Sequence, residues 1–187
     1  MKYIILLFAL LLGGCQTAPM MGVLGVDDSS NEFDLAPALV NYTEVADTPI
    51  VEAPGKHPYF DDKKTLKWYD DNSFDSALKS GKHLIIEVGR KNCSLCQKFV
   101  ENILPLYKDD LKDFAGVESN VDKMNSTIQA TVLRYMKEAR LLPVVLVVNS
   151  KGKYIGGLWG DMSTKDKKKE FKALIKKAKD SVVIEEG

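Results

Sequence analysis

The stretch His83-Leu84-Ile85-Ile86-Glu87-Val88 is short, almost wholly apolar and rich in branched side chains. A strand of that kind is covered on both faces, because a sheet with one wet face alternates apolar and polar residues. Pro143-Val144-Val145-Leu146-Val147-Val148 has the same character. Two doubly covered strands need helices on both sides of one sheet, which constrains the chain to α/β layering. The intervening pattern agrees. Leu66-Lys67-Trp68 is a short strand, and Ser73 caps a helix through Lys79 with Phe74, Ala77 and Leu78 on one face. Cys96, Phe99, Val100, Ile103 and Tyr107 recur at helical spacing, with Pro105 expected to kink or shorten that helix. Residues 115–121 form a weak strand, and Ile128, Val132, Tyr135 and Met136 mark another helix. Ser150-Lys151-Gly152 turns the last strand back as a hairpin, and Ser163 caps a final helix with Phe171, Leu174, Ile175 and Ala178 inward. The order is βαβαβαββα, which predicts a largely parallel sheet closed by an antiparallel hairpin.

The amino terminus reads as an address. Lys2 precedes an apolar run from Tyr3 to Leu12, too short to span a bilayer and the right length for a signal-peptide core. It runs into Leu12-Gly13-Gly14-Cys15, which resembles a bacterial lipobox. Residues 1–14 are therefore expected to be removed and Cys15 to be lipidated, since several acyl chains anchor a protein stably. Gln16, where an Asp would favour the inner membrane, implies the outer membrane of a Gram-negative cell, facing the periplasm. Residues 15–62 are expected to form a tether. The stretch from Gln16 to Asp62 holds five of the seven prolines and nine acids against Lys56, a formal −8. His57 lies in it and is assigned no role. Residues 63–187 are expected to form one domain. Over the whole chain 26 basic residues balance 26 acidic ones, which argues against nucleic acid as a main partner. Ten lysines between Lys151 and Lys179, against three acids, read as a solvated helix face.

With Cys15 blocked, two of the three cysteines remain, in Cys93-Ser94-Leu95-Cys96. The motif follows a buried strand and opens a helix. Free N–H groups and the helix dipole at that end stabilise a thiolate, and Arg90 and Lys91 are expected to add positive potential. Cys93 is then the exposed nucleophile and Cys96, one turn in, the resolving thiol. Zinc would need four ligands, and besides this pair the chain offers only His57 and His83, so no metal is expected. His83 is read as the start of a strand. A carboxyl at Glu87, inside an apolar strand, is costly without a task or a partner. Trp68 and Trp159 are read as packing residues.

These residues resemble the thioredoxin-like fold family, over about Leu66 to Lys179. The resemblance rests on the CxxC after Leu84–Val88, on Leu142-Pro143 opening a core strand, on the hairpin through Gly152, and on Gly160-Asp161-Met162-Ser163 before the last helix. It implies a three-layer α/β fold with a mixed central sheet and a cis peptide at Pro143, beside a redox-active disulfide of Cys93 and Cys96. It implies that Glu87, six residues before Cys93, passes protons to and from Cys96. The layout is most similar to periplasmic thiol:disulfide interchange domains. Asn92 stands where the family often has Trp, and Ser94-Leu95 where it usually has Gly-Pro, and these are the positions that tune reduction potential and partner choice.

The function expected is a membrane-anchored periplasmic thiol:disulfide oxidoreductase of reductase or isomerase type, with Cys93, Cys96, Glu87 and Pro143 at its site. Its partners would be protein disulfides and an external redox donor. The chain has no nucleotide fingerprint, and no cofactor is expected. The competing readings are a non-catalytic thioredoxin-like binding protein and a module that passes Cu(I) through the cysteine pair.

Overall fold

A computed structural model describes residues 55–183. The expected signal sequence, Cys15 and the expected tether as far as residue 54 lie outside the described residues. Five strands form one sheet: β1 (Trp68–Tyr69), β2 (His83–Gly89), β3 (Phe114–Asn120), β4 (Val144–Val148) and β5 (Tyr154–Trp159). Their order across the sheet is β1-β3-β2-β4-β5. β1, β3 and β2 run parallel, whereas β4 is antiparallel to β2 and β5 to β4. The helices are α1 (Phe74–Lys79), α2 (Ser94–Lys98), α3 (Ser126–Tyr135) and α4 (Lys165–Val183). This is the α/β fold with a mixed central sheet and flanking helices that the strand pattern requires.

β2 and β4 are the strands expected to be buried on both faces, and every residue of each is buried. Alternate side chains feed two cores. Ile85, Val145 and Val147 point to one face and pack with Trp68, Phe99, Leu104, Phe171 and Ile175. Leu84, Ile86, Leu146 and Val148 point to the other and pack with Phe74, Ala77 and Ile128. α4 therefore covers the first face with Phe171, Ile175 and Ala178 and leaves most of its lysines to solvent. Gly116 on β3 permits a close approach. A Cβ there would sit 2.5 Å from Trp68 ring carbons, so the indole of β1 lies flat over the glycine.

The helical segment after α2 changes pitch. A wide π turn runs from Phe99 to Ile103, and a 3-10 turn follows over Leu104–Tyr107. Pro105 causes this, since it has no N–H for the α ladder and its ring crowds the carbonyl four residues back. At the other end of the sheet His83 begins β2 as expected. Its Nδ1 accepts the Ser150 N–H at 3.2 Å and its ring packs on Phe114.

Residues 57–62 pack on the domain, although their composition groups them with the tether. His57 and Asp62 are buried, and Phe60 packs against the first core. Asp62 organises the turn into β1. Its carboxylate accepts the N–H of Lys64 at 3.0 Å, the N–H of Leu66 at 2.9 Å and the indole N–H of Trp68 at 2.7 Å. Three donors satisfy one buried carboxylate, which is what makes its burial tolerable.

Candidate functional site

Strand β2 ends at Gly89, a short turn follows, and α2 begins at Ser94. Cys93 is the N-cap of α2, with extended backbone, and its sulfur accepts the Cys96 N–H at 3.2 Å. It occupies the place a capping oxygen would take, where the free N–H groups of the first turn point. Cys93 and Cys96 are joined as a disulfide. Cys93 is half-buried, whereas Cys96 is 0% exposed. The pair thus has one face toward solvent and one sealed into the first core.

Leu142–Pro143 is a cis peptide. The register Val88↔Val144 brings Pro143 to the same end of the sheet as Gly89. The Pro143 carbonyl accepts the Gly160 N–H at 2.9 Å, which ties that loop to the turn before α4. The fold is thioredoxin-like.

Glu87 points into the first core and is 1% exposed. Gly89 leaves it room. A Cβ at Gly89 would overlap Glu87 Oε1 and lie 2.9 Å from Glu87 Cδ and 3.0 Å from Cys96 Sγ. The carboxyl and the inner sulfur therefore border one small space, which the missing side chain leaves open. Glu87 Oε1 has no hydrogen-bond partner. Glu87 Oε2 faces His57 Nε2 at 3.6 Å, slightly beyond hydrogen-bond range. Burial pushes the Glu87 carboxyl above the usual carboxylate range, and the nearby imidazole opposes that rise.

Two neighbours of Glu87 escaped the sequence reading. His57 is brought in by the segment before β1, 30 positions away in the chain. The one local hint is the aromatic cluster His57-Pro58-Tyr59-Phe60 at the end of an otherwise acidic, proline-rich stretch. The second is Glu118, the direct partner of Glu87 in the β2–β3 register. It is buried, and its Oε1 has no hydrogen-bond partner. Burial first, then repulsion from Glu87, Asp71 and Asp70, pushes its carboxyl up to about 7.

One electrostatic expectation is corrected. Arg90 does not direct its charge at Cys93. It forms a two-pronged pair with Asp122, Nε to Oδ2 at 3.0 Å and NH2 to Oδ1 at 2.7 Å. The contact shown at Cys93 Sγ is the Cys96 N–H of the helix start. Trp68 is fully buried, in agreement with a packing role, while Trp159 is partly exposed with Lys167 near its face.

No protein-family model matches the chain, and no curated protein matches it significantly. Among solved structures it is similar to the oxidised form of mitochondrial thioredoxin 3 from Saccharomyces cerevisiae. The identity is 18%, the TM-score 0.42, and the match covers 62% of this chain and 97% of that one. It is similar to thioredoxin from Fasciola hepatica at 12% identity and TM-score 0.41, covering 55% and 90% of the two chains. A structure described for the thiol-resolving mechanism of yeast mitochondrial 1-Cys peroxiredoxin matches at 16% identity and TM-score 0.42, covering 59% and 93%. Likeness at this level says nothing of substrate or partner.

Proposed function

We propose that the protein is a thiol:disulfide oxidoreductase, lipid-anchored through Cys15 to the outer membrane and facing the periplasm, which reduces or isomerises disulfides in other proteins. The observation that carries this reading is the asymmetry of the Cys93–Cys96 disulfide. One sulfur caps a helix at the surface, and the other is buried beside a carboxyl whose Oε1 has no hydrogen-bond partner among the described residues. A disulfide serving only as a staple would need neither the exposed sulfur nor the acid behind the buried one.

In the reduced protein the Cys93 thiolate attacks a substrate disulfide. A Cys93–substrate bond forms, and the displaced substrate sulfur leaves as a thiolate that takes a proton from water. The Glu87 carboxylate then accepts the proton of the Cys96 thiol through the space beside Gly89. The Cys96 thiolate attacks Cys93 Sγ, the intramolecular disulfide forms, and the second substrate sulfur leaves as a thiolate that takes a proton from water, while Glu87 keeps the Cys96 proton until the pair is reduced again. Two electrons have passed from the pair to the substrate, and an external dithiol donor restores the pair by the reverse exchanges. Pro143, at the same end of the sheet, borders the place where the substrate backbone would lie.

Reduction of insulin disulfides with dithiothreitol as the donor tests this. Turnover above the uncatalysed rate is expected, abolished by Cys93→Ser. Cys96→Ser should accumulate mixed disulfides with envelope proteins. An inactive wild-type protein, or undiminished turnover in Cys93→Ser, overturns the reading. The anchoring is tested separately: Cys15→Ser should leave the membrane fraction or persist as an unprocessed precursor.

A further inference from the structure

His57 and Glu87 face one another in the interior, and each carries an unsatisfied polar atom. His57 is 5% exposed and Glu87 1%, and neither His57 Nε2 nor Glu87 Oε1 has a hydrogen-bond partner among the described residues. Buried polar atoms without partners are rare, and two on facing side chains at one site call for an explanation. The ring is held from three sides. It stacks on Phe60 with centroids 5.1 Å apart, meets Trp68 edge-on at 4.4 Å, and meets Tyr59 edge-on at 6.1 Å.

Its tautomer is set too. His57 Nδ1 accepts two backbone N–H bonds, from Tyr59 and from Phe60, each at 3.2 Å. A nitrogen that accepts cannot also carry a proton, so a neutral ring has its hydrogen on Nε2. The nitrogen that bears it lies 3.6 Å from Glu87 Oε2.

We propose that His57 is a positioning residue that decides which oxygen of Glu87 carries the proton: its Nε2–H lies on the Oε2 side of the carboxyl, so the carboxyl proton resides on Oε1, the oxygen at the space beside Gly89 that Cys96 Sγ also borders. The proton is thereby presented where the sulfur can exchange it. The device also makes proton transfer depend on the packing of residues 57–60, the segment that links the domain to the tether. This deepens the redox reading and rests on it for its consequence in turnover.

The ionisable groups around Glu87 are few and can be named. From the segment before β1 comes His57, from α2 Cys96, and from β3 Glu118, behind which lie Asp70 and Asp71. From β4 the cross-strand partner is Val145, which carries no charge. Glu118 repels a charged Glu87, so the Nε2–H of His57 is the group among these that favours the ionised form.

The test uses the full chain labelled with 15N-His and 13C-Glu. Long-range proton–nitrogen correlations should show the Nε2–H tautomer of His57 at neutral pH. His57→Leu keeps an apolar plug and removes the donor. The Glu87 carboxyl should then titrate higher by about one pH unit or more, a tenfold change in its ionised fraction. His57→Gln retains an N–H donor and should return most of that shift. In turnover, the pH profile of the Cys96-dependent resolution step should move upward in His57→Leu, with attack by Cys93 unchanged. A proton on Nδ1, or a Glu87 titration identical in wild type and His57→Leu, overturns the proposal. If His57→Leu does not fold, the wild-type tautomer and the His57→Gln titration decide it. If the wild-type protein reduces no disulfide, the redox reading fails, and the tautomer and carboxyl titration still decide whether His57 positions Glu87.

Discussion

Glu87 on β2 and Glu118 on β3 are direct partners in the parallel register, with both carboxyls buried on the same face of the sheet. The parity is visible from their neighbours, since Ile85 and Phe114 on those strands belong to the same core. Two acids side by side under a hydrophobic layer cannot both ionise cheaply. The pair therefore titrates as a unit, and proton release at one site raises the cost at the other.

Stability should consequently fall as pH rises through this pair. Glu118 has an ordinary value of 4.5 and is pushed up to about 7 in the fold. Between those values the unfolded chain has released a proton that the folded chain retains, so the contribution is full below about 4.5 and lost by about 7. Glu118→Gln removes the penalty. It should stabilise the protein by about 1–3 kcal/mol at pH 8 and flatten the slope between pH 5 and 7. Denaturant melts across pH check this. A variant no more stable than wild type at pH 8 would show that the carboxyl ionises there without cost.

Gly89 has neighbours on one side that leave no room for a methyl group. Its Cβ would overlap Glu87 Oε1 and press on Cys96 Sγ. Gly89→Ala should lower stability by about 1–3 kcal/mol, the usual cost of overpacking. It should also slow the resolution step more than Cys93 attack, because the displaced carboxyl no longer borders Cys96. Gly156→Ala, on edge strand β5, serves as a control: its Cβ would meet Leu174 Cδ2 at 2.6 Å, so it should also destabilise while leaving the ratio of the two redox phases unchanged.

The cysteines should differ in reactivity. After reduction, iodoacetamide is expected to modify Cys93 well before Cys96, since Cys93 is partly exposed at the helix cap and Cys96 is sealed. Peptide mapping after brief labelling reads the order. Glu87→Gln should leave the Cys93 rate close to wild type and slow resolution at pH 7 by about a hundredfold, the lower end of what a positioned base contributes. Equal resolution rates from pH 6 to 9 would remove Glu87 from the proton path.

Asp62 should matter to both fold and site. Asp62→Ala strands the N–H groups of Lys64 and Leu66 and the Trp68 indole N–H. The expected loss is about 2–4 kcal/mol, since hydrogen bonds to a charged group are among the stronger ones and buried donors are costly to leave unpaired. Because Trp68 packs on His57, hydrogen exchange at Tyr59 and Phe60 should rise in the same variant. Unchanged protection there would mean that the two turns are independent.

The alternation of strands and helices, the turn bearing the two cysteines, the break caused by Pro105 and the oddity of an acid at Glu87 are all local patterns, legible one window at a time. Periodicity reports which face of an element is apolar, because burial repeats every two or 3.6 residues. What joined those elements was not local. The sheet order β1-β3-β2-β4-β5, the pairing of Glu118 with Glu87 and the capture of Arg90 by Asp122 each link segments far apart in the chain. His57 is the clearest case. Among acids and prolines it reads as part of a tether, since nothing within ten residues repeats to mark it as buried. Only the packing of Phe60 into the core and the three bonds gathered by Asp62 bring its ring against Glu87. A single contact between distant segments leaves no period in the sequence. The tertiary structure therefore decides what stands behind the disulfide, while local pattern decides where the disulfide is.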